Sequence, residues 1–143
     1  MTQLFLPILV LHVVVAVLGL GSIMSVALVA AISRKAGPGA VPVSTWLAPL
    51  LRFSAISLGA MLVTGMLMDV AAGGAFHERW WFRGSVGLIV LTGVLNGLAR
   101  RVVRRGLGPD VEREAALRGI ERLAYAMSAL IAAIAALMEV KPF

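Results

Sequence analysis

His12 is the residue of this sequence best placed to do chemistry, because it is a polar side chain inside a long apolar run. The run is uncharged from Leu4 to Ser33. In a helix that begins at Leu4, His12 lies about 12 Å along the axis, at about 1.5 Å per residue. An imidazole at that depth in a membrane is costly unless it is paired or ligates something. The sequence leaves three interpretations open: a haem or metal ligand, a proton-transfer group, or a structural histidine that bonds across helices.

Three further residues are candidates to share a site with His12. Gly19 lies on the same helical face, since seven residues make about two turns, and it leaves room beside the imidazole. A flat macrocycle could fill that room with His12 on its iron, and so could a neighbouring helix. Arg83 could hold a cofactor carboxylate, pair with an acidic residue of another helix, or extend to the membrane surface. Met66 is either a thioether of the site or a packing residue.

The expected site therefore consists of His12, Arg83, Gly19 and Met66 around a haem b cofactor, with His12 as the metal ligand. Other chemistry finds no support in the sequence. With two histidines and no cysteine, a multi-ligand zinc site is not expected. No hydrolytic triad, phosphate-binding loop or dinucleotide motif is recognisable, so no catalytic residue is assigned.

The composition indicates the class of protein that must position these groups. The chain has 143 residues, of which 60% are hydrophobic and 14% charged, and its mean hydropathy is +0.97. A soluble domain of this length could not bury so much apolar surface, so we expect an integral membrane protein whose main partner is the lipid bilayer. The formal charge of +6 is interpreted as membrane topology and not as nucleic-acid binding, because the arginines cluster in two connections.

Four apolar segments follow one another at about residues 4–33, 46–70, 80–103 and 111–140. Each is long enough to be a membrane-crossing helix. Short connections favour antiparallel neighbours, so the sequence predicts an all-α, antiparallel four-helix bundle that forms a single domain over residues 1–143. The first segment is expected to be retained and not cleaved as a signal peptide, because it lacks a basic start and exceeds the usual apolar length.

The basic residues predict an orientation. Ten lie in or beside the first and third connections, and three lie on the other side. The ten are Arg34, Lys35, Arg52, Arg100, Arg101, Arg104, Arg105, Arg113, Arg118 and Arg122. The positive-inside rule then places both basic connections in the cytoplasm and both termini outside. A bacterial-type cytoplasmic (inner) membrane is the expected location.

Small residues recur at helical spacing on several segments, as in the Gly93-x-x-x-Gly97 motif of the third. Such spacing lets membrane helices approach closely. The chain offers more small-residue faces than four helices need for their own packing. This excess raises a second function, in which the protein is a non-catalytic accessory or scaffold subunit of a larger membrane complex, or forms a homo-oligomer.

Several short motifs resemble the small four-helix membrane proteins of the HemJ-type protoporphyrinogen oxidase and CopD-like group. They are Leu11-His12, Arg52-Phe53, Thr64-Gly65, Trp81-x-Arg83 and Val140-Lys141-Pro142-Phe143. The resemblance implies that His12 is the first-helix histidine associated with haem b. It also places Arg83 where those enzymes carry a lysine. The chain departs from them after the histidine, where Val17-Leu18-Gly19-Leu20 replaces an aromatic-rich stretch.

Three functions therefore follow from the sequence, in order of expectation. The first is a membrane protein that binds haem b or a porphyrin through His12 and has a redox role. The second is the accessory or scaffold subunit. The third is CopD-like copper handling, for which the available soft or imidazole ligands are His12, His77, Met66 and Met68.

Overall fold

The computed structural model of the chain describes residues 3–36, 43–105 and 110–139 and contains four α-helices within them. They are α1 (Phe5–Lys35), α2 (Val43–Ala71), α3 (Trp80–Arg104) and α4 (Asp110–Glu139). No strand is found in these three ranges. The predicted all-α fold with four mutually packed helices is confirmed.

Each helix is long and apolar enough to cross a membrane. The helices begin and end within a few residues of the predicted segments, and α2 begins earliest, at Val43 instead of about residue 46. The predicted end of the fourth segment, Val140, lies outside the described residues. Leucine and valine side chains on the outside of α1, such as Leu6, Val10 and Val17, are largely exposed, as expected for surfaces that lipid covers.

The helices form a ring in which each packs against two others: α1 on α2 and α4, and α3 on α2 and α4. Side-chain contacts give the directions. His12 meets Thr64 and Ser22 meets Ser54, so α1 and α2 are antiparallel. Near the other end of α1, Arg34 meets Glu121 of α4, and Met24 meets Ser128, so α1 and α4 are antiparallel as well. The chain thus goes up and down around the ring, in the simplest topology of a four-helix bundle.

The core is divided along the bundle axis. The half that carries most arginines, called the basic end here, is the larger packed cluster and includes Ile23, Val26, Leu47, Leu51, Ile120 and Met127. The other half, called the aromatic end, has a smaller cluster of Met61, Ile89 and Ile134. Its interior therefore depends more on polar and aromatic side chains, among which His12 lies.

The connection between α2 and α3 is organised by Asp69. Its Oδ1 accepts hydrogen bonds from the backbone N–H groups of Phe76 at 2.7 Å and His77 at 3.2 Å. Gly73 and Gly74 have φ values of 74° and 78°, which side chains with a Cβ rarely adopt. The connection is therefore a fixed turn that brings Phe76 back over the end of the bundle.

Candidate functional site

The candidate site is built around His12, which is 7% exposed and faces α2. Its Nδ1 lies 2.7 Å from the hydroxyl oxygen of Thr64. That hydroxyl also lies 2.7 Å from the carbonyl oxygen of Ala60, one turn earlier in α2. A threonine hydroxyl has one proton, and a carbonyl can only accept, so Thr64 donates to Ala60. His12 Nδ1 then carries a proton and donates to Thr64.

With the protons assigned in this way, Nε2 is the ring nitrogen that keeps the lone pair. His12 bonds to the Thr64 side chain through Nδ1, and the Met61 carbonyl of α2 also lies within hydrogen-bonding reach of the ring. Nε2 is not one of the fully enclosed polar side-chain atoms that lack a partner, which in the described ranges are limited to Asn96 Oδ1. A histidine held through Nδ1 and open at Nε2 has the arrangement of a metal-ligating histidine.

Nε2 belongs to a side chain that lines a small cavity of about 10 Å³. The cavity lies among all four helices, and its other lining residues are Met61, Leu62, Gly65, Met66, Phe82, Ser85, Val86, Ile89 and Met138. Gly65 lies flat against the imidazole, since a Cβ added there would be 3.6 Å from His12 Cε1. The volume suffices for about one water molecule or one ion.

The methionines reach this cavity from two helices. Met66 lies on α2 and is 49% exposed, whereas Met138 is half-buried on α4. Met61 lies deeper, because its sulfur is 3.9 Å from the position that a Gly19 Cβ would take. Met66 and Met138 are the other two methionines that line the cavity.

Aromatic rings close the aromatic end above the cavity. Phe5, Phe76 and Trp81 follow one another with ring centroids 6.5 Å and 5.6 Å apart. Phe82 lies edge-on to Trp81 at 6.0 Å and also lines the cavity. These tilted and edge-to-face rings are a favourable aromatic packing.

Two of the four residues predicted to form the site are brought together, and two are not. His12 and Met66 line the same cavity. Gly19 is buried against α2, where an added Cβ would lie 3.2 Å from the Ser57 Cβ. It serves the close approach of two helices, which is the alternative left open by the sequence. Arg83 is exposed, and its Nε donates to the His77 carbonyl at 3.0 Å.

His77 lies away from the candidate cavity, in the fixed turn. Its Nδ1 is 3.3 Å from Asp69 Oδ2, and its side chain is 57% exposed. Arg83 therefore bonds to a backbone carbonyl and not to an acidic side chain of another helix. The Asp69 carboxylate instead accepts hydrogen bonds from the backbone of the turn.

The space around His12 is too small for the expected haem. His12 offers a suitable nitrogen donor, but a cavity of about 10 Å³ does not accommodate a macrocycle. The room expected beside Gly19 is taken by Ser57. No group of three or more His, Cys, Asp or Glu side chains that could hold a metal ion occurs in the described residues. The packing around His12 therefore does not fit haem.

The sequence did not indicate that Gly65, Ser85 and Met138 line the cavity beside His12. α1 is apolar on every face, so its hydrophobic pattern could not indicate which helix His12 faces. The Thr64-Gly65 pair was the one sequence signal for the partner of His12. It combines a hydroxyl group with a residue that has no side chain, at the depth of His12 in the second span.

The fold and site define a four-helix bundle suited to a membrane, with one buried histidine as its most chemically competent group. No family model, curated protein or solved structure matches the chain.

Proposed function

We propose that the protein binds a monovalent copper ion in the cavity beside His12 and so takes part in copper handling at the membrane. The observation that supports this proposal is the combination in one cavity of an imidazole open at Nε2 and methionine thioethers. His12, Met66 and Met138 would supply one nitrogen and two sulfur ligands. The resemblance to CopD-like proteins points the same way.

The donor chemistry favours Cu(I) over other ions. Soft thioethers select Cu(I), and imidazole binds it as well. Calcium and magnesium require several oxygen ligands, and the cavity offers only the Ser85 hydroxyl, which donates to the Trp81 carbonyl at 2.8 Å. All three proposed ligands are uncharged, so a single positive charge is the least costly cation to bury here. The cavity volume also suits one ion.

The direct test is competition for Cu(I) between the purified protein and a chromophoric Cu(I) chelator under reducing, oxygen-free conditions. We expect one ion per chain. His12→Ala is expected to abolish this binding, and Met66→Leu to weaken it by about tenfold or more while keeping the side chain's volume. Thr64→Val, which removes only the group that orients the ring, is expected to weaken binding about 10- to 100-fold.

The chain supplies matched controls for these variants. His77→Ala removes the other histidine, and Met68→Leu makes the same change as Met66→Leu at a position that does not line the cavity. Both are expected to bind Cu(I) as the parent does. Equal losses in Met66→Leu and Met68→Leu, or no saturable binding by the parent protein, would contradict the copper site.

Haem b or a porphyrin is the second candidate, because Nε2 of His12 is also a suitable axial donor and the resemblance to HemJ-type enzymes implies this role. It requires α2 and α3 to separate more widely than they do here. An absorption spectrum after expression with ample haem distinguishes the two candidates. A Soret band that disappears in His12→Ala would favour haem, whereas its absence together with one bound Cu(I) favours the copper site.

A further inference from the structure

The contact between α2 and α3 is incomplete and leaves an open groove on the outside of the bundle. The groove has a volume of about 290 Å³ and is lined by apolar side chains together with Gly59, Gly93 and Asn96. We refer to this groove and the arginine pockets that continue it toward the basic end as the furrow. Nothing lies within 4 Å of the Cβ position of either glycine, so both leave the groove unfilled.

Arginines surround the furrow where it reaches the basic end. Arg52 of α2 and Arg100 and Arg104 of α3 line a pocket of about 30 Å³ between the helices. Arg100 and Arg104 also line a wider pocket of about 330 Å³, together with Gly97, Arg101 and Arg105. Asn96 is one turn from Arg100, so the apolar and basic parts are continuous along α3.

These five arginines form no ion pair with any acidic side chain in the described residues. The nearby ion pairs use other cations: Arg34 binds Glu121 at 3.2 Å, and Arg118 binds Glu114 at 3.5 Å. Five like charges at one end of a helix pair repel one another unless an anion lies among them. The basic end of the furrow therefore calls for a negatively charged partner, and the described residues do not supply one.

A second observation also indicates a missing partner. Asn96 is 1% exposed, and its Nδ2 donates to the Leu51 carbonyl at 3.2 Å, but its Oδ1 has no hydrogen-bond partner. Asn96 lines the groove one turn from the arginines. Buried polar groups are normally satisfied, so this oxygen marks a place for a donor. Because this oxygen is itself enclosed, a single buried water molecule is the donor that fits there.

We propose that the furrow binds one anionic phospholipid, with its phosphate among Arg52, Arg100 and Arg104 and an acyl chain over Gly59 and Gly93. The furrow from Arg104 to Ile89 follows about 22 Å of helix, more than the roughly 15 Å depth of one hydrocarbon leaflet. Basic pockets between membrane helices are suited to such headgroups. Phosphatidylglycerol satisfies the requirement, since its phosphate is anionic and its headgroup carries no cation that would cancel this charge.

A second copy of the chain is a less suitable occupant. In one membrane, a copy with the same orientation would bring its own basic end to the same level as these arginines. Like charges would then oppose the contact. A phospholipid anion removes the repulsion instead, and its flexible chain can follow an irregular groove.

The test is native mass spectrometry of the purified full chain, titrated with phosphatidylglycerol or with phosphatidylcholine. We expect one tightly retained phosphatidylglycerol and no comparable retention of phosphatidylcholine. Inorganic phosphate alone should not displace the lipid. Arg100→Gln with Arg104→Gln is expected to weaken retention about thirtyfold, from ~1 kcal/mol for each arginine and 1.4 kcal/mol per factor of ten.

Two matched controls separate a site from diffuse attraction. Arg118→Gln with Arg122→Gln removes the same charge from the basic end of α4, outside the furrow, and should leave retention unchanged. Gly93→Leu should displace the lipid by filling the groove, whereas Gly87→Leu makes the same change at another open position of α3 that does not line it.

Three results would overturn the proposal. Equal losses in the two double arginine variants would mean that the attraction is diffuse. Retention that is unaffected by Gly93→Leu would exclude the groove as the chain site. A change from dimer to monomer in Gly93→Leu, without loss of bound lipid, would identify a second copy as the occupant.

Discussion

The interfaces that α2 forms with α1 and with α3, called seams here, contain the same kinds of residue. Only the seam with α1 is tightly packed. Against α1, small and hydroxyl side chains interlock: Ser22 and Ser54 lie 2.8 Å apart, and Gly19 lies against Ser57. Against α3, a Cβ added at Gly59 or Gly93 would have no atom within 4 Å, and the Asn96 oxygen has no partner in the described residues. One seam is therefore closed and internally satisfied, whereas the other is open.

The difference matters for interpreting small residues in membrane sequences. A glycine predicts that something can approach closely, but not what approaches. At Gly19 the approaching group is the next helix of the same chain. At Gly93 the space is open in the described structure, and we propose that a lipid fills it. His12 lies between the two seams, because it bonds to α2 through Nδ1 while its cavity extends toward α3.

The largest predicted effect comes from making one substitution on both seams. Gly19→Leu forces a side chain into a position whose Cβ alone would be 3.2 Å from Ser57, and we expect the free energy of unfolding to fall by about 3 kcal/mol. A Cβ at Gly93 would have no atom within 4 Å, and the groove leaves room for the rest of the side chain, so Gly93→Leu should change it by less than about 0.5 kcal/mol. Reversible unfolding in mixed micelles, with phosphatidylcholine as the lipid, measures both.

Because both variants replace a helical glycine with leucine, the change in helix propensity is common to them. The difference between them therefore reports packing alone. Similar losses at the two positions would mean that the α2–α3 seam is closed in the folded protein, and the comparison would fail.

The fold could be predicted from sequence because its signals are long and redundant. Each helix repeats its apolar character over more than twenty residues, and charged or glycine- and proline-containing connections separate them. The sequence was a poorer guide to which side chains point into the bundle and which point outward. Trp80 and Trp81 were equivalent in sequence, yet Trp80 is 61% exposed and Trp81 is 7% exposed beside Phe76.

The site was predicted in part for the same reason. The depth of His12 follows from residue counting, and Thr64 could be placed at a similar depth. Which residues close the space around the imidazole depends on helix rotation, and an apolar face covered by lipid resembles one covered by protein. Arg83 was expected near the site but lies at the turn, because the His77 carbonyl is the acceptor it reaches.

A smaller effect is expected from Thr64→Val, which keeps the shape of the closed seam but removes the partner of His12 Nδ1. Hydrogen bonds between membrane helices contribute about 0.6 kcal/mol on average, and an unsatisfied buried donor adds to the loss. We expect the free energy of unfolding to fall by about 1 kcal/mol. Thr92→Val is the control, since its hydroxyl bonds only to the Leu88 carbonyl of its own helix. A loss no larger than that of the control would contradict the interhelical bond.

The smallest effect is expected at the open seam, from Asn96→Leu in the absence of anionic lipid. The substitution removes the 3.2 Å hydrogen bond to the Leu51 carbonyl but also removes the buried oxygen that has no partner. These two contributions are each about 1 kcal/mol and opposite in sign, so stability should change by less than about 0.5 kcal/mol. If Asn96→Leu instead loses about 2 kcal/mol without the lipid, Oδ1 has a partner within the chain, and the two seams are alike.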